Sequence, residues 1–371
     1  MSKRALGIIN IEPSYVHVEG IEDYRPISAT SFMGRYRIID FIISNLTNSG
    51  VNNIEVQVKN RPRSTIQHIQ RTDYNINTKR GHIRILHGEK PIPNEIYNTD
   101  VASLMANLKY FEEDNSPYVI LAPSHFIYVQ DFSKMLDYHI ESKNDITVLY
   151  QNVNTANEDF LMCDTLDIDE NKVITSIDKN LGKAKRAKVS LETYIMSKKI
   201  FVDMIYAALS TSSLYSLSDI IADGLDVFKI GGYLHSGYAA CISTLNSYYK
   251  ASMDIKNEKE LSNIFSDEWP IYTATNDTCP TTYTKTSNVS NCVVGNGCVI
   301  EGTVENCVIG RNVVVKEGAV IKDSIIMPDA LINKNVKMDK CVVDRLAIVT
   351  HIKALNGSDH APLYVKRGDR I

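Results

Sequence analysis

The chain has 371 residues, of which 44% are hydrophobic and 23% charged, with a formal net charge of −4. This length predicts two domains, and the small negative charge argues against nucleic acid as a partner. The sequence lacks the run of about 20 apolar residues that a membrane span needs, and no cysteine pair has CxxC spacing. We therefore expect a cytoplasmic protein with neither a disulfide framework nor a zinc knuckle.

The first part of the chain alternates between strand-like and helix-like patterns. Ala5–Ile9 is a compact apolar run that predicts a buried first strand, and Arg37–Ser49 carries apolar residues at helical spacing. Strand and helix patterns then alternate over Asn53–Val58, Val101–Glu113, Tyr118–Ala122, Phe132–Ser142 and Asp145–Tyr150. This order predicts an α/β domain over residues 1–255, with a Rossmann-type, mostly parallel sheet. Ligands of such sheets bind at the carboxyl ends of the strands.

From Val289 onwards the period of the apolar residues changes to six, with glycines and polar residues between them. One file, with a single step of nine, is Val294, Ile300, Ile309, Val315, Ile321 and Met327. The second file is Cys298, Val304, Val313, Ala319, Ile325 and Leu331. This hexapeptide pattern predicts a left-handed parallel β-helix over residues 284–371, whereas a β-meander would alternate with a period of two.

Two further expectations concern the segments around this solenoid. Residues 256–283 contain Trp269-Pro270 and Cys279-Pro280, which break regular elements, so we predict a linker between the domains. The solenoid cysteines are predicted to be small apolar core fillers rather than ligands. They are Cys292, Cys298, Cys307 and Cys341.

Several motifs resemble those of the ADP-glucose pyrophosphorylase (glucose-1-phosphate adenylyltransferase) family. Gly34–Phe41, followed by Ser44-Asn45 and Asn48–Gly50, is similar to the family segment G-[KR]-[FY]-R-I-I-D-F…S-N…N-S-G. Further matches are His68–Arg71, Gly237-Tyr238, Tyr248–Ala251, Asp323-Ser324 and Cys341–Arg345. The resemblance covers nearly the whole chain and implies a nucleotidyltransferase-like domain followed by the β-helix. Active members are tetramers that join ATP and glucose 1-phosphate, with Mg²⁺ as the cofactor.

That reaction needs backbone N–H groups and cations around the triphosphate. The family loop after the first strand is glycine-rich, as in G-G-x-G-[ST]-R-L, but the equivalent segment Asn10–Asp23 keeps only Gly20. A like-charge contact within about 4 Å costs on the order of 1–4 kcal/mol in partly exposed surroundings. Four acids of this loop are expected to oppose a polyanion: Glu12, Glu19, Glu22 and Asp23.

Four other positions are degenerate relative to the family motifs. The family Lys-Pro is Arg25-Pro26, and the E-K-P segment for the sugar phosphate is Asp178-Lys179-Asn180, which retains Lys179. Ser124 and Cys241 stand where the resemblance implies metal-binding aspartates. A hydroxyl and a thiol do not anchor Mg²⁺ as two carboxylates do. The resemblance therefore implies a GlgD-type regulatory subunit without a catalytic, cofactor or metal site, which pairs with a catalytic homologue in a heterotetramer and raises its activity.

The same resemblance suggests a phosphate site. The family residue matching Arg35 belongs to a site for a phosphorylated activator between the two domains, and Arg37 lies in the same motif. The C-terminal cations Lys366, Arg367 and Arg370 could add charge there. For Arg35, a structural ion pair with Asp40 stays open as an alternative.

Three other functions stay open. The first is an active sugar-phosphate nucleotidyltransferase with displaced metal ligands, for which Asp100 and Asp178 are candidates. The second is a hexapeptide acyltransferase, although residues 289–345 contain no histidine as general base. The third is a binding or assembly protein without a metabolite site. A general-base role for His125 and a nucleophilic role for Cys241 are disfavoured, because no Ser–His–acid set and no activating partner can be named.

Overall fold

The structure, a computed structural model, describes residues 4–18, 20–59, 61–88, 99–212, 214–254 and 256–371. Its first part alternates strands and helices. The strands are β1 (Ala5–Asn10), β2 (Ser31–Phe32), β3 (Tyr36–Arg37), β4 (Asn53–Val58), β5 (His82–His87), β6 (Tyr118–Pro123), β7 (Phe126–Tyr128), β8 (Ile146–Val153), β9 (Asp164–Ile168), β10 (Ile174–Lys179), β11 (Ala187–Ser197), β12 (Ile230–Leu234) and β13 (Ala239–Cys241). The helices are α1 (Ile38–Asn48), α2 (Arg63–Ile69), α3 (Asp100–Ala106), α4 (Leu108–Glu113), α5 (Phe132–Ser142), α6 (Lys198–Thr211), α7 (Leu217–Asp223), α8 (Leu245–Asp254) and α9 (Glu258–Ile264).

Nine of these strands form one mixed sheet. β1 lies between β6 and β4, and β5 follows β4, all in parallel. β11 runs antiparallel to β6, β8 and β9. β9 and β10 also pair antiparallel, as the short connection between them favours. The predicted α/β sheet is confirmed, and its antiparallel part lies beyond β6.

Helices cover both faces of the sheet, which explains the apolar runs in the central strands. In β1, Ala5 and Ile9 face one core together with α1 and α5. Leu6 and Ile8 face the other core, which α3, α4, α6 and α7 cover. None of the helices in the described part of the chain has the length and apolarity that a membrane span requires.

The helix predicted over Val101–Glu113 is interrupted. Asn107 separates α3 from α4, and its side-chain amide donates to the carbonyl oxygens of His87 at 3.1 Å and Ser103 at 3.0 Å. Because this side chain competes with the helix for a backbone carbonyl, the helix breaks at this residue.

The second domain is a β-helix of three five-stranded parallel sheets, as predicted. Val299 pairs with Val314 and Val314 with Leu331, so successive rungs contain 15 and 17 residues. Residues six apart in sequence therefore lie on successive faces rather than in one stack. The strands are β14 (Thr282–Tyr283), β15 (Asn288–Ser290), β16 (Val293–Val294), β17 (Val299–Ile300), β18 (Thr303–Glu305), β19 (Val308–Ile309), β20 (Val314–Val315), β21 (Val320–Lys322), β22 (Ile325–Ile326), β23 (Leu331–Ile332), β24 (Lys337–Asp339), β25 (Cys341–Val343), β26 (Ile348–Val349), β27 (Ala354–Asn356) and β28 (Leu363–Val365).

The solenoid cysteines differ in their surroundings. Cys298, Cys307 and Cys341 are buried in the core, which confirms their prediction as fillers. Cys292 is only partly buried and packs against the edge of that core.

The segment 256–283 is less irregular than predicted, since it contains α9 and β14. It runs along α1, where Asn45 and Asn48 of the Gly34–Gly50 motif form hydrogen bonds with it. Asn48 donates to the carbonyl oxygen of Pro270 at 2.9 Å, and Trp269 donates to the Asn45 side chain at 3.0 Å. Part of the Gly34–Gly50 motif therefore fixes this segment to the first domain.

Candidate functional site

A cluster of polar side chains lies at the carboxyl ends of β1 and β6, where the α/β topology predicts a ligand pocket. Tyr15, from the loop after β1, reaches into it. The Tyr15 hydroxyl donates to the carboxylate of Glu192 and lies 3.1 Å from Nε2 of His125 and 3.6 Å from Sγ of Cys163. Behind Cys163, Sγ of Cys241 is 3.7 Å away. We call these five residues the Tyr15 network, and it lies at the position of the predicted pocket.

Glu192 is held in an unusual backbone conformation. It lies in the bulge of β11, where the pairing with β8 shifts between Ser190 and Thr193, and its φ of 49° is in the left-handed region. Such a conformation costs a non-glycine residue about 1–3 kcal/mol and persists only where the surroundings enforce it. Burial raises the pKa of Glu192 to about 7, although the Tyr15 hydrogen bond opposes this shift.

His125 is a neutral group in this pocket. Its complete burial lowers its pKa to about 3, so it carries no charge at neutral pH. When Glu192 is ionised, its carboxylate accepts a hydrogen bond from the Tyr15 hydroxyl. Nε2 of His125 then donates a hydrogen bond to the Tyr15 oxygen. Nδ1 of His125 then has no hydrogen-bond partner, and neither has Oγ of the neighbouring Ser124. His125 and Ser124 therefore contribute neutral groups to this cluster.

Replacing Glu192 by glutamine is expected to change the pH dependence of stability. Because the raised pKa means that the folded state binds this proton more tightly, the wild type loses stability as the pH rises from about 4.5 towards about 7. Relative to the wild type, Glu192→Gln should gain about 3 kcal/mol between pH 4 and pH 8, as measured by urea denaturation. Asp178→Asn, at an exposed carboxylate of β10, is the control variant. If the difference in unfolding free energy between Glu192→Gln and the wild type stays constant with pH, the pKa of Glu192 is not raised in the folded protein.

The degenerate positions do not form a magnesium site. Ser124 and Cys241 are buried and contribute a hydroxyl and a thiol, which are poor ligands for a hard cation. Lys179 is engaged by Asp164, with Nζ 2.6 Å from Oδ1. Across the described residues, no group of three or more His, Cys, Asp or Glu side chains is arranged to hold a metal ion. The residues present therefore do not fit Mg²⁺ as the active members of the family use it.

The two alternative metal ligands are not brought together. Asp100 begins α3, and its carboxylate accepts hydrogen bonds from the Asn10 amide at 2.9 Å and from the backbone N–H of Leu217 at 3.2 Å. Asp178 is exposed on β10 and accepts from the Ser176 hydroxyl at 2.7 Å. Each carboxylate thus has its own local partners.

Arg25 belongs to the domain interface rather than to the Tyr15 network. Its Nη2 donates to Oδ1 of Asp344 in the solenoid at 2.7 Å and lies 3.2 Å from Sδ of Met327. The structure therefore does not group Arg25 with Ser124 and Cys241.

The loop acids turn towards their own neighbours. Glu12 accepts from the backbone N–H of Ser28 at 3.2 Å, and Glu22 accepts from that of Val18 at 3.0 Å. Together with Asp23 they line a cavity of about 550 Å³, whose wall also includes Arg25, Lys59 and Arg61. The fourth acid, Glu19, lies outside the described residues.

A second site lies between the two domains. This arginine cleft has a volume of about 420 Å³ and is lined by residues of the Gly34–Phe41 motif and of the solenoid. Burial and the neighbouring guanidinium of Arg345 lower the pKa of Arg37 to about 10. Burial and Arg35 likewise lower the pKa of Arg311. These cations thus repel one another, as expected for an anion site, and Arg345 is also paired with Asp329 at 2.8 Å. Its arginines are Arg35, Arg37, Arg71, Arg311 and Arg345.

The structure removes the ion-pair alternative for Arg35 and corrects the placement of the C-terminal cations. Arg35 makes no ion pair with Asp40, which instead accepts from His68 and Tyr74 at 2.6 Å each. The three C-terminal cations do not line the cleft. Arg367 lies over the Tyr24 ring at 5.4 Å, and Lys366 is exposed. The backbone of Arg370 forms an isolated β-bridge with Ile348.

Some residues of each site were not predicted from the sequence. Tyr15, Cys163 and Glu192 match no motif, although an acid inside the apolar run of β11 was a signal. Arg311 and Arg345 follow solenoid strands, and only Arg345 lies in a segment matched to the family.

Comparison with known proteins agrees with this architecture. The profile of the family described as "Nucleotidyl transferase" matches residues 25–258, and that of "GlmU-like, C-terminal hexapeptide" matches residues 278–361. Glycogen biosynthesis protein GlgD of Bacillus subtilis is 28% identical over 99% of this chain and 97% of its own length. Glucose-1-phosphate adenylyltransferase of Lachnospira eligens is 30% identical over 78% of this chain and 69% of its own. The chain therefore belongs to the nucleotidyl transferase family, in the group of glucose-1-phosphate adenylyltransferases and GlgD proteins.

Proposed function

We propose that this protein is a regulatory, catalytically deficient subunit of ADP-glucose pyrophosphorylase that acts in glycogen biosynthesis in the cytoplasm. The observation that carries the proposal is the position of Tyr15. Its loop corresponds to the one that cradles phosphates in the active family, yet its hydroxyl is bound to Glu192 at the strand ends. A triphosphate would have to displace this side chain and then lie beside a carboxylate.

Electrostatics support the same conclusion. Transfer of an adenylyl group builds negative charge on the attacking and leaving phosphates, and this charge needs fixed cations or metal ions. The pocket offers a neutral imidazole, thiols and a hydroxyl, while its lysine, Lys179, is paired with Asp164. These groups provide little stabilisation for such a transition state.

We further propose that the partner is a catalytic homologue and that the two form a heterotetramer. The intact sheet and solenoid support this, since the framework of the family is kept although the catalytic side chains are replaced. The regulatory contribution would then be a change in the rate or in the activator response of the partner.

The arginine cleft is the proposed site for a phosphorylated activator such as a sugar phosphate. Guanidinium groups bind phosphate oxygens through paired hydrogen bonds, and Arg311 and Arg345 come from the solenoid while Arg35 and Arg37 come from the first domain. An anion bound there would link the two domains, which is a physical route from binding to regulation.

Co-expression with the catalytic homologue of the same organism tests the proposal. We expect the two chains to co-purify, and we expect the complex to form ADP-glucose faster, or with an altered activator response, than the homologue alone. A matched complex carrying Arg311→Ala separates assembly from activation, because it should assemble but respond less. Failure of the two chains to associate would contradict the regulatory role.

A further inference from the structure

Cys292 and Cys307 occupy equivalent positions on consecutive rungs of the solenoid. Val293 pairs with Val308 in the parallel strands β16 and β19, so the two preceding residues lie opposite each other. Neighbouring strands are about 4.8 Å apart, which is within the Cα separation of about 4.4–6.8 Å found for disulfides. The backbone N–H of Cys307 donates to Sγ of Cys292 at 3.4 Å. The two thiols are therefore direct neighbours.

The two cysteines differ in exposure and acidity. Cys307 is fully buried, and burial raises the pKa of its thiol. Cys292 is half-buried at the edge of the core. The Cys307 side chain, its backbone N–H and the ammonium of Lys256 lower the pKa of Cys292 to about 7. An accessible cysteine that is partly thiolate, next to a second thiol, is the usual arrangement of a redox-sensitive pair.

The pair lies where the first domain is fixed to the solenoid. Lys256 follows α8, and its Nζ donates to the carbonyl oxygen of Asn306 at 2.7 Å, directly before Cys307. The Asn306 side chain in turn accepts from the Asn291 amide at 2.8 Å, directly before Cys292. A change in charge or bonding at these two cysteines therefore acts on the joint between the domains.

We propose that Cys292 and Cys307 are a redox modification site that forms a reversible disulfide in the presence of a hydroperoxide. In the first step the Cys292 thiolate attacks a peroxide oxygen and the O–O bond breaks, which yields a sulfenic acid and an alkoxide that takes up a proton. In the second step the Cys307 sulfur attacks the Cys292 sulfur, the S–O bond breaks, and the hydroxide leaves as water with the Cys307 proton. Two thiols lose two electrons, and the hydroperoxide is reduced to an alcohol and water.

The chain contains internal controls for this chemistry. Cys163 and Cys241 also lie close together, but both are buried, and burial raises the pKa of Cys163. They should resist a small oxidant in the folded protein. Cys279 is exposed, so its rate of oxidation shows how fast a freely accessible cysteine reacts.

Peptide mass mapping of the full-length folded chain tests the proposal. Hydrogen peroxide is added in slight excess, free thiols are alkylated with iodoacetamide, and the protein is digested without reduction. We expect a cross-linked peptide joining Cys292 and Cys307, which dithiothreitol releases. The rate of Cys292 alkylation should rise with pH, with a midpoint near pH 7. It should be at least about tenfold faster than the alkylation of buried Cys298.

Variants provide the decisive comparison. Cys307→Ser should leave Cys292 as a sulfenic acid that dimedone traps, and Cys279→Ser should form the cross-link like the wild type. Circular dichroism verifies that each variant is folded. The proposal is wrong if Cys292 stays reduced while Cys279 is oxidised, or if Cys292 proceeds to the sulfinic acid with Cys307 still free.

Discussion

Replacing Asp344 by alanine should lower the free energy of unfolding by about 3–5 kcal/mol, because it leaves a buried cation without its partner. Arg25 is 4% exposed and Asp344 is completely buried, and their ion pair joins the first domain to the solenoid. The carboxylate also accepts from the Tyr364 hydroxyl at 2.6 Å. Nε and Nη1 of Arg25 already lack hydrogen-bond partners, so the variant has no alternative acceptor to offer the guanidinium. Urea denaturation followed by circular dichroism measures the loss.

Two controls distinguish the buried pair from an ordinary one. Arg25→Met combined with Asp344→Leu should recover most of the lost stability, since replacing both charges by apolar groups removes the uncompensated charge. Glu305→Ala breaks an exposed pair with Lys322 and should have no detectable effect. If Asp344→Ala behaves like Glu305→Ala, the domains do not pack through this contact.

Replacing Arg311 by alanine should weaken the effect of fructose 1,6-bisphosphate on the complex by about tenfold to a hundredfold. A hydrogen bond to a charged group contributes about 1.5–3 kcal/mol, and Arg311 is one of the arginines that the solenoid contributes to the cleft. Activity titrations of the complex with this probe give the half-maximal concentration for each variant. Arg311→Lys should recover only part of the response, because a single ammonium does not reproduce the paired geometry of a guanidinium.

Arg367→Ala is the matched control for the cleft. This arginine was a candidate from the sequence, but it stacks on Tyr24 and does not line the cleft. It should leave the activator response unchanged. A loss of response in Arg367→Ala, with a normal response in Arg311→Ala, would move the activator site to the C-terminal residues.

Much of the fold could be predicted because its signals are local and periodic. α5 begins and ends where the apolar spacing predicts, at Phe132 and Ser142. The solenoid follows from the spacing of Val294 to Met327, since each rung buries its apolar side chains on the next. Asn107 shows the limit of such reasoning, because its side chain binds a distant carbonyl oxygen and ends a helix that the pattern would continue.

The site was less predictable, because its contacts join residues far apart in sequence. Motif comparison located Ser124 and Cys241 as replaced positions. It could not reveal that Tyr15 would reach Glu192, which is 177 residues away. Arg25 illustrates the same limit in reverse. Its motif suggested a place at the phosphates, whereas a buried carboxylate of the solenoid provides a stronger partner for its charge.

The most direct test of the account is the formation of ADP-glucose by the isolated chain, purified without its homologue and supplied with ATP, glucose 1-phosphate and Mg²⁺. We predict no product above the background, and none after Tyr15→Ala, because opening the pocket does not restore the missing carboxylates. The same preparation should become part of an active enzyme when the catalytic homologue is added. Sustained turnover by the isolated chain would show that this pocket is catalytic after all.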